Sequence, residues 1–217
     1  MDIELARFNM IEQQIRPWEV LDPGLLGLLK KLPRELFVPP QDRDLAFADL
    51  NLPISHGECM MQPKVEARLA QALALTSTDR VLEVGTGTGY LTALLASCCA
   101  QVTSIDIHGD FLKPASARLE SLGIVNATFV EGDAAEDWVD DDGWDAIILT
   151  GSVPVPPHAH RNRLAAGGRL VAIVGQSPVM EAMLYSRSDD GESTELSLFD
   201  TSLPPLINVR TPSAFTF

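Results

Sequence analysis

Apolar residues fall into two alternating patterns along the chain. Compact apolar runs, rich in β-branched residues, recur at 80–84, 101–105, 127–130, 144–150 and 169–175. Such runs are expected of buried strands in a parallel sheet covered on both faces. Between them lie stretches whose apolar positions recur every third or fourth residue, the spacing of a helix with one buried face. These predict helices over 64–75 (Val65, Leu69, Leu73), 91–100, 110–122 (Phe111, Leu112, Ala115, Leu119, Leu122) and 156–164. Pro114 falls in the first turn of the helix at 110–122, where it is tolerated, and Gly123 ends that helix. Strands alternating with helices predict an α/β fold, a doubly wound and mostly parallel sheet with helices on both faces.

Both ends of the chain depart from this alternation. An amphipathic helix over 3–15 ends before Pro17. A second helix over 23–32 has Asp22 as its N-cap and Pro23 in its first turn. Residues 32–40 read as a short helical turn and a proline stop, and 46–52 lead into a loop, 53–63, bounded by prolines. At the other end, 182–188 and 195–202 alternate weakly and predict an antiparallel pair around a turn at 189–192. Hence a helical extension and its loop, 1–75, stand before an α/β core, 76–217. Neither an internal repeat nor a low-complexity linker interrupts them.

Composition narrows the class. With 217 residues and 46% hydrophobic content, the chain suffices for one sizeable domain with at most a subdomain. Asp and Glu number 30 against 16 Lys and Arg, a formal charge of −14. Such a surface repels phosphate backbones, so nucleic acid is not expected as a partner. Cys59, Cys98 and Cys99 form neither a disulfide framework nor a zinc motif, which points to a reducing compartment. The opening residues lack the basic-then-apolar order of a secretory leader. No apolar run approaches a membrane span. A cytoplasmic protein without membrane contact is the expectation.

The chemistry is concentrated where the run at 80–84 passes through Gly85-Thr86-Gly87-Thr88-Gly89 into a helix. A strand, a glycine turn and a helix N-terminus form a nucleotide-binding unit, because a ligand can lie against main chain that a Cβ would block. The spacing is Gly-x-Gly-x-Gly, not the Gly-x-Gly-x-x-Gly of dinucleotide sites, and the Gly-Lys-Ser/Thr of a P-loop is missing. Glu83 stands two residues before the first glycine, and Asp106 ends the second strand about 20 residues after the turn, where an acid takes ribose hydroxyls in Rossmann-like folds. Glu-x-Gly-x-Gly-x-Gly resembles the first motif of the S-adenosylmethionine-dependent methyltransferases. Ligands of doubly wound sheets lie beyond the carboxyl ends of the strands, at the switch in strand order. That rule gathers Glu83, Gly85, Thr86, Gly87, Gly89, Asp106, Gly132, Asp133 and Thr150 into one crevice. Gly85 and Gly87 would approach the methionine part of S-adenosylmethionine, Asp106 would accept from both ribose hydroxyls, and Asp133 would take the adenine amino group. Glu83 is better suited to holding the turn. His108, His158 and His160 lack metal-ligand spacing, and the last two are expected to be solvated in a proline-rich loop. Met60 and Met61 suit core packing.

Several blocks resemble one family, the protein-L-isoaspartate (D-aspartate) O-methyltransferases. Leu32-Pro33-Arg34-Glu35-Leu36-Phe37-Val38 is similar to the family's Val-Pro-Arg-x-x-Phe-Val segment. Ala46-Phe47-Ala48-Asp49, Leu52-Pro53-Ile54 and Gln62-Pro63 follow its block Ala-Tyr-x-Asp-x-x-Leu-Pro-Ile-Gly-x-Gly-Gln-Thr-Ile-Ser-x-Pro. The glycine motif, Gly132-Asp133 and the strand at 144–150 align as well, so the resemblance covers roughly residues 10–175, with an echo at Leu203-Pro204-Pro205-Leu206. It implies a Rossmann-like S-adenosylmethionine-dependent methyltransferase fold. It also implies methylation of isoaspartyl carboxylates in damaged proteins or peptides, with S-adenosyl-L-homocysteine as the product.

The departures fall in the family-specific loop. The family's Thr-Ile-Ser is Cys59-Met60-Met61, so Met61 occupies the place of its active-site serine; Ser55 and Glu58 replace a Gly and a Gln. The third motif is Gly132-Asp133-Ala134 where Gly-Asp-Gly is frequent. A thioether accepts hydrogen bonds weakly and donates none. Isoaspartyl methylation is therefore expected to be weak or absent, unless Ser55, His56 or Cys59 takes over, and to rise when Met61→Ser restores the hydroxyl. A small-molecule acceptor on the same fold, or a relative that binds the cofactor without catalysis, stands beside that reading. Met61 is expected on the acceptor side of the cofactor, with Cys59 and His56 on the same loop. A carboxylate acceptor is already ionised at neutral pH, so no general base is required.

Overall fold

A computed structural model describes residues 2–138 and 143–210. The chain opens with helix α1 (Ile3–Met10), which widens into a π-helical stretch (Ile11–Ile15) and closes with a 3-10 turn (Arg16–Trp18). The helical path runs past Pro17, since a proline at the start of a 3-10 turn lacks only an N–H that would have no partner there. Asp22 caps α2 (Pro23–Lys31), its carboxylate accepting from the Leu25 amide at 2.6 Å. The proline-bounded loop is a small hairpin, β1 (Leu52–Pro53) against β2 (Cys59–Met60), and α3 (Pro63–Leu73) follows.

The core alternates as expected: β3 (Arg80–Val84), α4 (Tyr90–Ala96), β4 (Gln101–Asp106), α5 (Gly109–Ser121), β5 (Ala127–Glu131), β6 (Trp144–Val153), α6 (His158–Asn162), β7 (Leu164–Gln176), β8 (Val179–Arg187) and β9 (Ser193–Asp200). The sheet order is β5-β4-β3-β6-β7-β8-β9. The first five strands in that order run parallel, and β8 and β9 add an antiparallel edge. After β3 the chain moves outward through β4 and β5, then returns to the other side of β3 as β6. The carboxyl ends of β3 and β6 diverge at this switch and leave a crevice.

Three local expectations are corrected. Helix α4 stops at Ala96 rather than residue 100, where the Ser97 hydroxyl donates to the Ala93 carbonyl at 2.7 Å. Pro114 lies in the second turn of α5, because that helix starts at Gly109. The strand expected from residue 169 starts earlier: β7 begins at Leu164 and runs through Gly167 and Gly168. A Cβ on Gly168 would stand 2.9 Å from the carbonyl oxygens of Trp144 and Ala165, so only glycine fits against β6. Of the acidic stretch 137–145, residues 139–142 lie outside the described residues. Asp137 pairs with Arg163 at 2.9 Å, and Asp145 accepts from the Arg80 amide at 2.8 Å.

The N-terminal helices share a core with the sheet. Met10, Ile11 and Ile15 belong to one buried cluster with Leu69 and Leu73 of α3 and Val81, Ala146 and Ile173 of the sheet. Each such side chain contributes about 1.5–3 kcal/mol when removed from water. One polar crosslink runs through this region. Arg34 is almost fully buried; it is ion-paired with the equally buried Glu66 and donates from Nε to the Ala46 carbonyl at 2.9 Å and from Nη2 to the Met61 carbonyl at 2.6 Å. The proline-rich segment and the hairpin are thereby fixed against α3.

Candidate active site

The crevice is an open cleft at the carboxyl ends of the central strands. Its floor is the glycine turn. Gly85, Gly87 and Gly89 have φ of +100°, +50° and +84°. A Cβ on Gly85 would meet the Thr150 hydroxyl, and one on Gly89 would lie 2.8 Å from Ala115 of α5. The Thr150 hydroxyl is directed at the carbonyls of Val84 and Gly85, at 2.9 and 2.8 Å, and ties β6 to the turn.

Glu83 lies outside the cleft wall. It is fully buried beneath the turn, where one carboxyl oxygen accepts from Thr92 at 2.5 Å and Ser104 at 2.6 Å. Burial raises its pKa to about 8, Ser104 and Thr92 oppose that rise, and Asp106 and Glu66 add to it. Thr86 joins the same network through Ser104 at 2.6 Å. Glu83 therefore couples β3, α4 and β4 and holds the turn.

Asp106 lines the cleft, with one oxygen accepting from the Gly87 amide and the other from the His108 amide, both at 2.9 Å. Both oxygens stay directed across the turn with lone pairs to spare. At the far end, Asp133 accepts from the Ala135 amide at 3.1 Å and from the Asn208 side-chain amide at 2.8 Å. Gly132 is packed beneath Trp138, 2.9 Å from where a Cβ would be. Met61, Cys59 and Glu66 form the wall contributed by residues 1–75. Met61 is 4% exposed, so it belongs both to the core and to the cleft.

Several residues of the site carry no legible signal in the sequence. The His108 imidazole borders the cleft, its Nε2 buried without a partner. His56, in a left-handed conformation at the hairpin tip, stacks on His108 at 4.0 Å and bonds Asp110 at 2.9 Å. His56 thus braces the loop and does not itself line the cleft. His160 is not solvated as expected but fully buried, bonded to the Ala134 carbonyl at 2.9 Å. The segment after β9 crosses the cleft mouth: Ser152 donates to the Pro204 carbonyl, and the Leu206 amide donates to Ser152, both at 2.9 Å. The pattern Leu203-Pro204-Pro205-Leu206 marks this place only through its likeness to the family.

The donor set discriminates among ligands. Among the described residues, Glu58, Glu66, Asp106 and Asp133 line the cleft, and neither lysine nor arginine does. A phosphate-bearing dinucleotide would find carboxylates and no cation. A nucleoside that carries a positively charged sulfonium fits both the acids and the glycine floor. Among the described residues, no three His, Cys, Asp or Glu side chains gather as a metal set.

A doubly wound sheet with this acid-lined, glycine-floored cleft at its switch defines an S-adenosylmethionine-dependent methyltransferase. Comparison of the sequence carries the assignment further. The chain belongs to the protein-L-isoaspartate(D-aspartate) O-methyltransferase family, whose model matches residues 7–208. It is 38% identical over 196 residues to protein-L-isoaspartate O-methyltransferase 2 of Pelobacter propionicus, covering 89% of this chain and 87% of that one. Identity is also 38% to the protein-L-isoaspartate O-methyltransferase of Koribacter versatilis, over 94% of this chain and 91% of the relative. A solved protein-L-isoaspartate O-methyltransferase superposes with a TM-score of 0.72 at 24% identity, covering 94% of this chain and 65% of that one. A Plasmodium falciparum structure described as an enzyme of the same name, in complex with S-adenosyl-L-homocysteine, has a TM-score of 0.73 at 18% identity over 95% of this chain and 98% of its own. The family and the Rossmann-like fold expected from the motifs are thus both shown.

Proposed function

We propose that this protein methylates the free carboxylate of isoaspartyl residues in altered proteins or peptides, working in the cytoplasm. The observation that carries the reading is an acid-lined cleft, without Lys or Arg among the described residues, that runs directly into the wall formed by the family-specific hairpin. S-adenosylmethionine, when bound, supplies an electrophilic methyl on a charged sulfur and departs as S-adenosylhomocysteine. The backbone of Gly85, Thr86, Gly87 and Gly89 receives the methionine portion, Asp106 the ribose hydroxyls, and Gly132 with Asp133 the adenine. Glu83 and Thr150 act from behind and keep the turn in shape. In functional terms, residues 1–75 provide the acceptor side and 76–217 the cofactor side.

Met61, Met60 and Ile54 shield the acceptor side from water, which strengthens every polar contact made inside it. An ionised carboxylate held in line with the methyl needs no proton removed, so orientation and a dry wall suffice. The surface charge of −14 supports a reading without nucleic acid. Among the described residues, no helix is long and apolar enough to cross a membrane. A small-molecule acceptor or a non-catalytic role has no observation in its favour beyond the Met61 substitution. The test is methyl transfer to an isoaspartyl peptide beside its aspartyl counterpart. Transfer to the isoaspartyl form alone is expected; protein that binds S-adenosylhomocysteine but methylates neither peptide refutes the proposal.

A further inference from the structure

The acceptor corner of the cleft holds a polar atom that the roles above leave unused. Tyr90 opens α4 and is 2% exposed, and its buried hydroxyl has no acceptor for its proton; the Arg34 guanidinium beside it can only donate. Buried hydroxyls nearly always have partners, and those that lack one call for an explanation. The ring is held firmly: the Arg34 guanidinium carbon lies 4.7 Å from its centroid, and Phe37 meets it edge-on at 5.5 Å. The same Arg34 donates to the Met61 carbonyl at 2.6 Å and pairs with Glu66. Tyr90, Met61 and Glu66 all line the cleft. The hydroxyl, its proton undonated, is therefore in the corner where the family's serine is absent and Met61 stands.

We propose that the Tyr90 hydroxyl donates a hydrogen bond to the acceptor carboxylate, in place of the serine hydroxyl that Met61 removes. The proposal rests on the isoaspartyl reading and names the group that recognises its substrate. A carboxylate has two oxygens. Tyr90 holds one, and the other attacks the methyl carbon. The new oxygen–carbon bond forms as the sulfur–carbon bond breaks, its electron pair stays on the now neutral sulfur, and no proton moves. Burial pushes the Tyr90 phenol well above its ordinary pKa, so the hydroxyl keeps its proton as a donor must. The Glu66 charge, which would repel an incoming carboxylate, is already met by Arg34.

Tyr90→Phe removes one oxygen and keeps the ring against Arg34 and Phe37. The expected results are an unchanged or higher melting temperature, S-adenosylhomocysteine affinity within about twofold of the parent, and a KM for isoaspartyl peptide raised about tenfold or more. Calorimetric binding of the peptide to protein saturated with S-adenosylhomocysteine should weaken by a similar factor. Adding Met61→Ser to Tyr90→Phe should restore most of the lost affinity, because a hydroxyl returns to the same corner. A Tyr90→Phe protein that matches an active parent overturns this assignment and leaves the isoaspartyl reading intact. So does one that loses melting temperature and S-adenosylhomocysteine affinity together, the mark of a purely structural role, or a double variant that fails to recover. A parent that binds S-adenosylhomocysteine but leaves the isoaspartyl peptide unmethylated overturns both readings.

Discussion

Gly85→Ala probes the floor of the site directly. At φ +100° an alanine is strained by about 1–2 kcal/mol. Its Cβ would also collide with the Thr150 hydroxyl, so Thr150 must turn away. That forfeits the bond shared between the Val84 and Gly85 carbonyls, worth about 0.5–1.5 kcal/mol. The combined loss is about 1.5–3.5 kcal/mol, which for a chain of this size lowers the melting temperature by roughly 3–14 °C. Because the strain sits in the cofactor floor, S-adenosylhomocysteine affinity should fall by about tenfold or more. Thermal unfolding and calorimetry, each with and without S-adenosylhomocysteine, read the two effects separately. The steric part has its own signature: Thr150→Ala should destabilise the parent but cost nearly nothing in the Gly85→Ala background, where its bond is already broken. A Gly85→Ala protein with unchanged melting temperature and S-adenosylhomocysteine affinity, or strictly additive losses in the double variant, refutes the reasoning.

Asp106→Ala leaves the Gly87 and His108 amides without their acceptor and, on the proposed assignment, the ribose hydroxyls too; S-adenosylhomocysteine binding should weaken by about 1–3 kcal/mol, and equal affinity by calorimetry would remove Asp106 from the site. Glu83, with its folded pKa raised to about 8 from an ordinary 4.5, binds its proton more tightly folded than unfolded, so its contribution is complete below about pH 4.5 and is lost as the pH rises through 8. Thermal stability should therefore decline between about pH 4.5 and 8, a decline that Glu83→Gln flattens; parallel pH profiles for the two proteins would show that Glu83 does not titrate there. Met61→Ser should raise kcat/KM for an isoaspartyl peptide by about tenfold in a radiolabelled methyl-transfer assay, and an unchanged value would mean that the Met61 position does not reach the acceptor.

By itself the sequence determined the elements and the family. Strand and helix periodicity, the Gly85–Gly89 turn and Asp106 are local signals, written in residues close together along the chain, so the doubly wound core was legible before any coordinate. So were the departures at Cys59 and Met61, because they sit inside a block with a recognisable order. Only the tertiary structure decided which side chains meet across distant segments. Glu83 is expected from its place in the motif to hold the turn, but the partners through which it does so, Thr92 and Ser104, come from other elements. His160 lies in a proline-rich stretch that suggests solvent, but the packing of α6 against the Ala134 loop buries it. Tyr90 and Arg34 are 56 positions apart, and nothing in their local patterns shows that one ring, one guanidinium and the Met61 carbonyl form a single corner. The crossing of 203–208 over the cleft has no periodicity to announce it. Periodicity reports which face of an element is covered; the partner that covers it is set by how the elements dock, and the acceptor side of this enzyme consists almost wholly of such contacts.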